Sequence, residues 1–173
     1  MPTAISPSCA PPAPASAVGT DMPTHGEKRQ LPYTVKQLFD LVADVERYPE
    51  FLPWCVASRI RKRDGLVMIA DLMIGFKMVR ERFTSKVTLD PHRRIDVTYT
   101  EGPFKYLNNH WIFEPTADGG TLIDFYVDFE FRSKVLQALI GALFNEAVGL
   151  MVGAFEKRAR QLYGADGRAV QNV

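Results

Sequence analysis

The chain has 173 residues, 46% of them hydrophobic and 24% charged, with a formal net charge of +1. That length suits one domain with a sizeable core, and the near-zero charge argues against a dedicated nucleic-acid binder with a basic footprint. Two cysteines, Cys9 and Cys55, make no disulfide framework, so a reducing compartment is expected, and no apolar run reads as long and clean enough to span a bilayer.

The opening MPTAISPSCAPPAPASAVGT is rich in Pro, Ala and Ser and carries no charge before Asp21. Such a segment buries too little apolar surface to offset its ordering entropy, so residues 1–24 are expected to be a disordered tail. It lacks the basic region and continuous apolar stretch of a secretory signal, and the first Lys or Arg is Lys28, which does not suit a transit peptide. Met22 is an alternative start. The folded domain is expected over residues 25–165, followed by a flexible C-terminal tail over 166–173.

After a first strand, YTVKQLFDLV carries a helix start: Thr34 and Gln37 form a capping box, and Tyr33 can staple onto Leu38. Val35, Leu38, Phe39 and Val42 supply one apolar stripe at helical spacing. Asp44 suits the cap of a second short helix, interrupted by RYPEFLPWC. Prolines 49 and 53 argue against regular structure in that stretch, yet it holds Tyr48, Phe51, Leu52 and Trp54. So much apolar surface in an irregular connection implies either the lid of a core or contact with a greasy ligand.

From residue 57 to 132 the period changes to two. Ile123, Phe125, Val127, Phe129 and Phe131 share one face, with Asp124, Tyr126, Asp128 and Glu130 on the other. Asp64-Gly65, Asp90-Pro91, Gly102-Pro103 and Asp118-Gly119-Gly120 mark turns between such runs. The pattern predicts an antiparallel meander with one wet face. Its cover is the segment from Ser133 to Gly164, read as one long helix with an inward stripe of Leu136, Ile140, Leu143, Ala147, Met151, Ala154 and Arg158. The whole is an α+β arrangement, a curved antiparallel sheet around a long C-terminal helix.

A catalytic constellation is hard to assemble. His25, His92 and His110 have no metal-ligand spacing, no Gly-rich phosphate loop is present, and Cys55 in an apolar setting reads as a structural thiol. Asp71, in MIADLMIG, is either a buried acid or, by strand alternation, an outward one. Arg59, Arg61 and Arg63 alternate on one face, as do Arg80, Arg82 and Lys86, giving a solvated face or one turned to phosphate, from anionic lipid or ribosomal RNA. Gly141, Gly149 and Gly153 imply close helix packing or room for a ligand beneath the helix. EGPFKYLNNHW sets Phe104 and Leu107 in a connection leading to Trp111, a second greasy loop for the same rim.

YPEFLPWC, IGFKMVRERFTSKVTLDPH, GPFKYLNNHWIF, DFEFRS and LFNEAVGLMVGAFEKRARQLYG occur in this order. Together they resemble the coenzyme Q-binding START-domain family, within the polyketide cyclase and lipid-transport superfamily, over roughly residues 28 to 164. The bacterial ribosome association toxin is a near relative with similar blocks. The resemblance implies a helix-grip (START-like) fold, with two short helices after the first strand and a hydrophobic tunnel between sheet and helix. It implies a non-enzymatic ubiquinone carrier that serves respiration and ubiquinone biosynthesis. The ligand-binding positions it suggests are Tyr48, Phe51, Leu52, Trp54, Phe104, Leu107 and Trp111, with Phe125, Phe129, Leu143 and Met151 along strand and helix. Donors for the quinone head would come from Tyr48, Trp54, Lys105, Tyr106, Asn108 and Asn109. No cofactor is expected beyond ubiquinone as bound ligand. A monomer is expected, cytoplasmic and in transient contact with the anionic inner face of the bacterial inner membrane, or matrix-side at the mitochondrial one. The competing expectations are a ribosomal-subunit binder that blocks association and a cyclase or aromatase enzyme.

Overall fold

The computed structural model describes residues 24–165. The expected tails, with Cys9 and Met22, lie outside the described residues apart from Thr24, which opens the first strand. The order is β1 (Thr24–Leu31), α1 (Val35–Ala43), a 3-10 turn (Val45–Arg47), α2 (Tyr48–Phe51), six strands, then α3 (Lys134–Tyr163). The six are β2 (Cys55–Asp64), β3 (Val67–Phe76), β4 (Val79–Asp90), β5 (Arg94–Glu101), β6 (Phe104–Pro115) and β7 (Thr121–Phe131). They form one seven-stranded sheet in the order β1-β7-β6-β5-β4-β3-β2, antiparallel throughout. A meander from β2 to β7 places β1 at the far edge, so the whole concave face is offered to one helix.

The expected capping box is present at α1: Thr34 Oγ1 accepts from the Gln37 N–H at 3.2 Å, and Gln37 Oε1 accepts from the Thr34 N–H at 2.9 Å. Asp44 makes no side-chain cap, contrary to expectation. The RYPEF stretch is also more regular than its prolines suggest. Tyr48–Phe51 is one helical turn with Pro49 in its first positions, where a missing N–H costs nothing. GPFKYLNNHW is strand rather than loop, with the turn confined to Gly102-Pro103. Gly102 is required there: at φ +140° an added Cβ would lie 2.9 Å from the Arg82 carbonyl oxygen.

Helix α3 starts at Ser133, whose Oγ accepts from the Leu136 N–H, and ends at Gly164. At 30 residues it is about 45 Å long, enough to cross the sheet. Ile140 of the expected stripe is buried, but the rest of the buried line, Phe144, Val148, Phe155 and Ala159, runs one residue round from it; Leu136, Leu143, Ala147, Met151, Ala154 and Arg158 are half-buried on its flank. The displacement arises because α3 is apolar on both sides, so periodicity distinguishes its faces poorly. By length and composition α3 is apolar enough to cross a membrane, which corrects the expectation that no segment is, and only 17% of that stretch is buried. Polar ties hold it to the sheet domain: Arg29 to Glu156 at 2.6 Å, Arg158 to Glu50 at 2.7 Å, and the Tyr163 hydroxyl to the Gln37 carbonyl at 3.2 Å.

Candidate functional site

Between the concave sheet and α3 lies an apolar cavity of about 220 Å³. Alternation builds its floor: Leu72, Ile74 and Phe76 of β3, Phe83, Ser85 and Val87 of β4, and Ile95 and Val97 of β5 all point inward. Aromatic packing walls part of the cavity. Phe104 stacks on Phe131 with ring centroids 4.6 Å apart and meets Phe83 and Phe129 edge-on at 5.4 and 5.6 Å. Toward α1, Trp111 packs on Phe125 at 4.5 Å and Phe155 at 5.1 Å. Half-buried lining residues, Trp54, Ile74, Phe76, Ala147 and Met151, stand where the β3–β4 hairpin approaches α3. The Lys77–Glu146 ion pair spans that approach at 3.4 Å.

Nine of the expected ligand-binding residues line this cavity: Tyr48, Leu52, Trp54, Phe104, Leu107, Trp111, Phe125, Phe129 and Met151. The other two do not. Phe51 packs edge-on against Phe155 at 5.2 Å beneath the Arg158 guanidinium, and Leu143 sits on the flank of α3. Phe104 is buried within β6 rather than carried on a loop, because its segment is strand. Sequence reasoning passed over Phe83, Val97, Phe144 and Val148, although the alternation of β4 and β5 carried the first two. The glycines of α3 correct a further expectation: Gly141, Gly149 and Gly153 face outward, with none of the described residues within 4 Å of an added Cβ.

The proposed head-group donors are mostly committed elsewhere. The Tyr48 hydroxyl donates to the Val42 carbonyl, and burial pushes its pKa well up. Lys105 pairs with Glu130 at 2.6 Å, Tyr106 bonds Asp128, and Asn108 is exposed. Asn109 reaches the cavity, but its amide donates to the Tyr126 carbonyl and accepts from the Trp111 indole N–H. Trp54 differs: its indole nitrogen is buried with no partner among the described residues, and it lines the cavity.

On the opposite face of the sheet, Asp71 is only 5% exposed, so the buried reading holds. It receives Thr84 Oγ1 at 2.6 Å, Arg61 and Arg82 at 2.8 Å, and Arg59 at 3.2 Å. Burial alone would raise its pKa; the Thr84 hydroxyl and the three guanidiniums outweigh that and hold the carboxyl well below the usual range. Arg63 leaves this face, because a bulge between Ile60 and Lys62 shifts the alternation and sets Arg63 opposite Met68. Cys55 is buried, and burial pushes its thiol up to about 11. Among the described residues no group of three His, Cys, Asp or Glu side chains is placed to hold a metal ion.

Comparison with known proteins agrees with this architecture. The ribosome association toxin RatA of Pseudomonas aeruginosa is 39% identical over 144 residues, covering 83% of this chain and all of the relative. The mitochondrial coenzyme Q-binding protein COQ10 homolog B of Xenopus laevis is 34% identical over 154 residues, covering 87% of this chain and 63% of its own length. An 18 kDa protein of Caulobacter crescentus with a known solution structure is 42% identical, with a TM-score of 0.69, covering 83% of this chain and all of that one. The family described as polyketide cyclase / dehydrase and lipid transport matches residues 31–156, from the end of β1 to α3, and the chain belongs to that family.

Proposed function

We propose that the chain is a non-enzymatic carrier of an isoprenoid quinone of the ubiquinone type, taken up from and returned to a membrane. The observation that carries this reading is the apolar cavity of about 220 Å³ under α3. It is far larger than the water-sized voids of a packed interior and a little under the usual range of small-ligand pockets. The coenzyme Q-binding relative supports the choice of ligand. The lining holds no acid–base pair or metal-ligand set, which favours binding over chemistry. The ligand is bound unchanged and no cofactor acts.

The surface beside the cavity supports a membrane partner. Met78, at the tip of the β3–β4 hairpin, is 92% exposed, and Val135, Leu139 and Leu150 stand out from α3. Lys77 and Arg80 flank Met78 and would meet anionic headgroups. On this reading the protein works as a monomer in the cytoplasm at the inner face of the membrane. A second reading, contact with a ribosomal subunit, is favoured by the arginines around Asp71 and by the relatives named as ribosome association toxins.

The test is to purify the protein from a ubiquinone-producing host, extract it with organic solvent and identify bound lipid by mass spectrometry, with ribosome sedimentation alongside. Near-stoichiometric quinone is the expected result. An empty protein that sediments with ribosomal subunits, and loses this on Arg59→Glu with Arg82→Glu, would replace the first reading with the second.

A further inference from the structure

Four buried side-chain polar atoms have no hydrogen-bond partner among the described residues: Trp54 Nε1, Ser58 Oγ, Ser85 Oγ and Arg158 Nε. Two of these residues, Trp54 and Ser85, line the cavity, and the other two do not. An unpaired buried hydroxyl is costly, and native structures keep few of them without a ligand or water to meet. Ser85 is fully buried, inward on β4 between Phe83 and Val87, opposite Ala70 on one side and Tyr99 on the other. Asn109, the other polar residue on the sheet wall, already has both ends of its amide engaged. The Ser85 hydroxyl is therefore the free polar group on the floor.

Trp54 stands at another depth. Its carbonyl accepts from the Gly75 N–H at 2.8 Å, and Ala70 to Gly75 is five residues of β3, about 17 Å of strand. We propose that the lipid enters head first: an accepting oxygen of its ring bonds to the Ser85 hydroxyl, and its chain leaves past Trp54 toward the membrane. This rests on the carrier reading and deepens it. The volume favours that orientation. A cavity of about 150 Å³ holds a benzene ring, so about 220 Å³ holds one substituted ring and a short piece of chain rather than a polyprenyl tail. A tail left in the bilayer loses nothing, since lipid chains are as apolar as the cavity wall. The head gains what the bilayer core cannot offer, a hydrogen bond in a low-dielectric pocket. The Trp54 N–H then meets the head oxygens during passage. The ligand class is an amphiphile with an accepting ring oxygen, such as a 1,4-benzoquinone. A hydrocarbon isoprenoid would leave Ser85 unpaired, and a site built to bond an oxygen rejects an analogue without one.

The experiment loads the full chain with a ubiquinone of two isoprene units from phosphatidylcholine vesicles, with a hydrocarbon of two isoprene units in parallel. The bound quinone's carbonyl stretch is read by infrared spectroscopy. In the unmodified protein the band moves to lower frequency than in the vesicle. Ser85→Ala loses that shift and retains quinone roughly tenfold less well, the weak retention of the hydrocarbon does not fall, and Ser85→Thr restores the shift. Identical bands and retention in the parent and Ser85→Ala would mean that a trapped water satisfies the hydroxyl, overturning the head-first anchor while the carrier reading stands. A parent protein that takes up no quinone at all would overturn both.

Discussion

Filling the cavity should make the protein more stable and less able to carry lipid. Val97 points into the chamber from the middle of β5 and is half-buried, so Val97→Phe adds its ring to open space and keeps a residue suited to strands. At about 24 cal/mol per Å³, an empty cavity of about 220 Å³ forgoes roughly 5 kcal/mol, an upper figure because this one opens to solvent. A phenyl ring occupies part of that volume, so a gain of about 1–2 kcal/mol is expected after some cost for off-ideal rotamers. In a domain of this size that raises Tm by roughly 3–7 °C. Calorimetry of lipid-free protein reads the stability, and quinone retention after vesicle loading reads the function. Retention should fall at least tenfold as Tm rises. A drop in Tm would mean that the space is already packed. A raised Tm with unchanged retention would mean that lipid binds elsewhere, and either result refutes the reasoning.

Asp71→Asn should cost about 2–4 kcal/mol by urea midpoint, because a neutral amide cannot accept from Thr84 and three arginines at once. The folded carboxyl titrates below its unfolded value, so its stabilisation is present above about pH 4 and is lost as pH falls toward the folded pKa. Urea midpoints of parent and variant should therefore run parallel between about pH 4 and 7, and below about pH 4 the parent's should fall more steeply than the variant's. Cys55, with its thiol pushed up to about 11, should react with iodoacetamide slowly at pH 8 and faster toward pH 11, as followed by mass spectrometry. Met78→Asp with Leu150→Glu should slow quinone uptake from vesicles several-fold, yet leave retention by preloaded protein unchanged in a transfer assay.

The meander was legible because its turns carry chemistry: Asp64-Gly65 and Asp118-Gly119-Gly120 both end strands, and Gly65 and Gly119 take positive φ. The β3–β4 turn gave no such signal. Lys77 adopts φ +54° without being Gly or Asn, so no turn residue marks the break between Phe76 and Val79. The bulge near Arg61 is equally silent in one strand's sequence, since it is set by the partner's register, and it alone moved Arg63 off the Asp71 face. The inward face of β7, with Phe125, Val127, Phe129 and Phe131, was legible from alternation, while the other expected positions rested on the family resemblance; Leu143 misses the cavity because a helix apolar on both sides does not declare which line faces in. Ser85 was in plain view. Arg80, Arg82, Thr84 and Lys86 hold the outer positions of β4, which leaves Ser85 inside with Phe83 and Val87. A serine in a strand reads as surface until its neighbours are counted.

The outward glycines and the apolar outer face of α3 gain a common reason under the carrier reading. Between Lys134 and Glu156 the helix carries one charge, Glu146, and that carboxylate is turned to Lys77 on the hairpin. Val135, Leu139, Gly141, Gly149, Leu150 and Gly153 therefore present an exposed surface with little to desolvate. Such a surface has no stabilising role in water, where helix α3 is held by its inner line and its end ties. Against lipid it costs nothing, and it adjoins the half-buried lining residues Ala147 and Met151. A quinone crossing that boundary would pass from one apolar medium to another without meeting water. The barrier to uptake then lies in parting the β3–β4 hairpin from α3, and the exposed Lys77–Glu146 pair that joins them is weak enough to part, since surface pairs contribute about 0–1 kcal/mol.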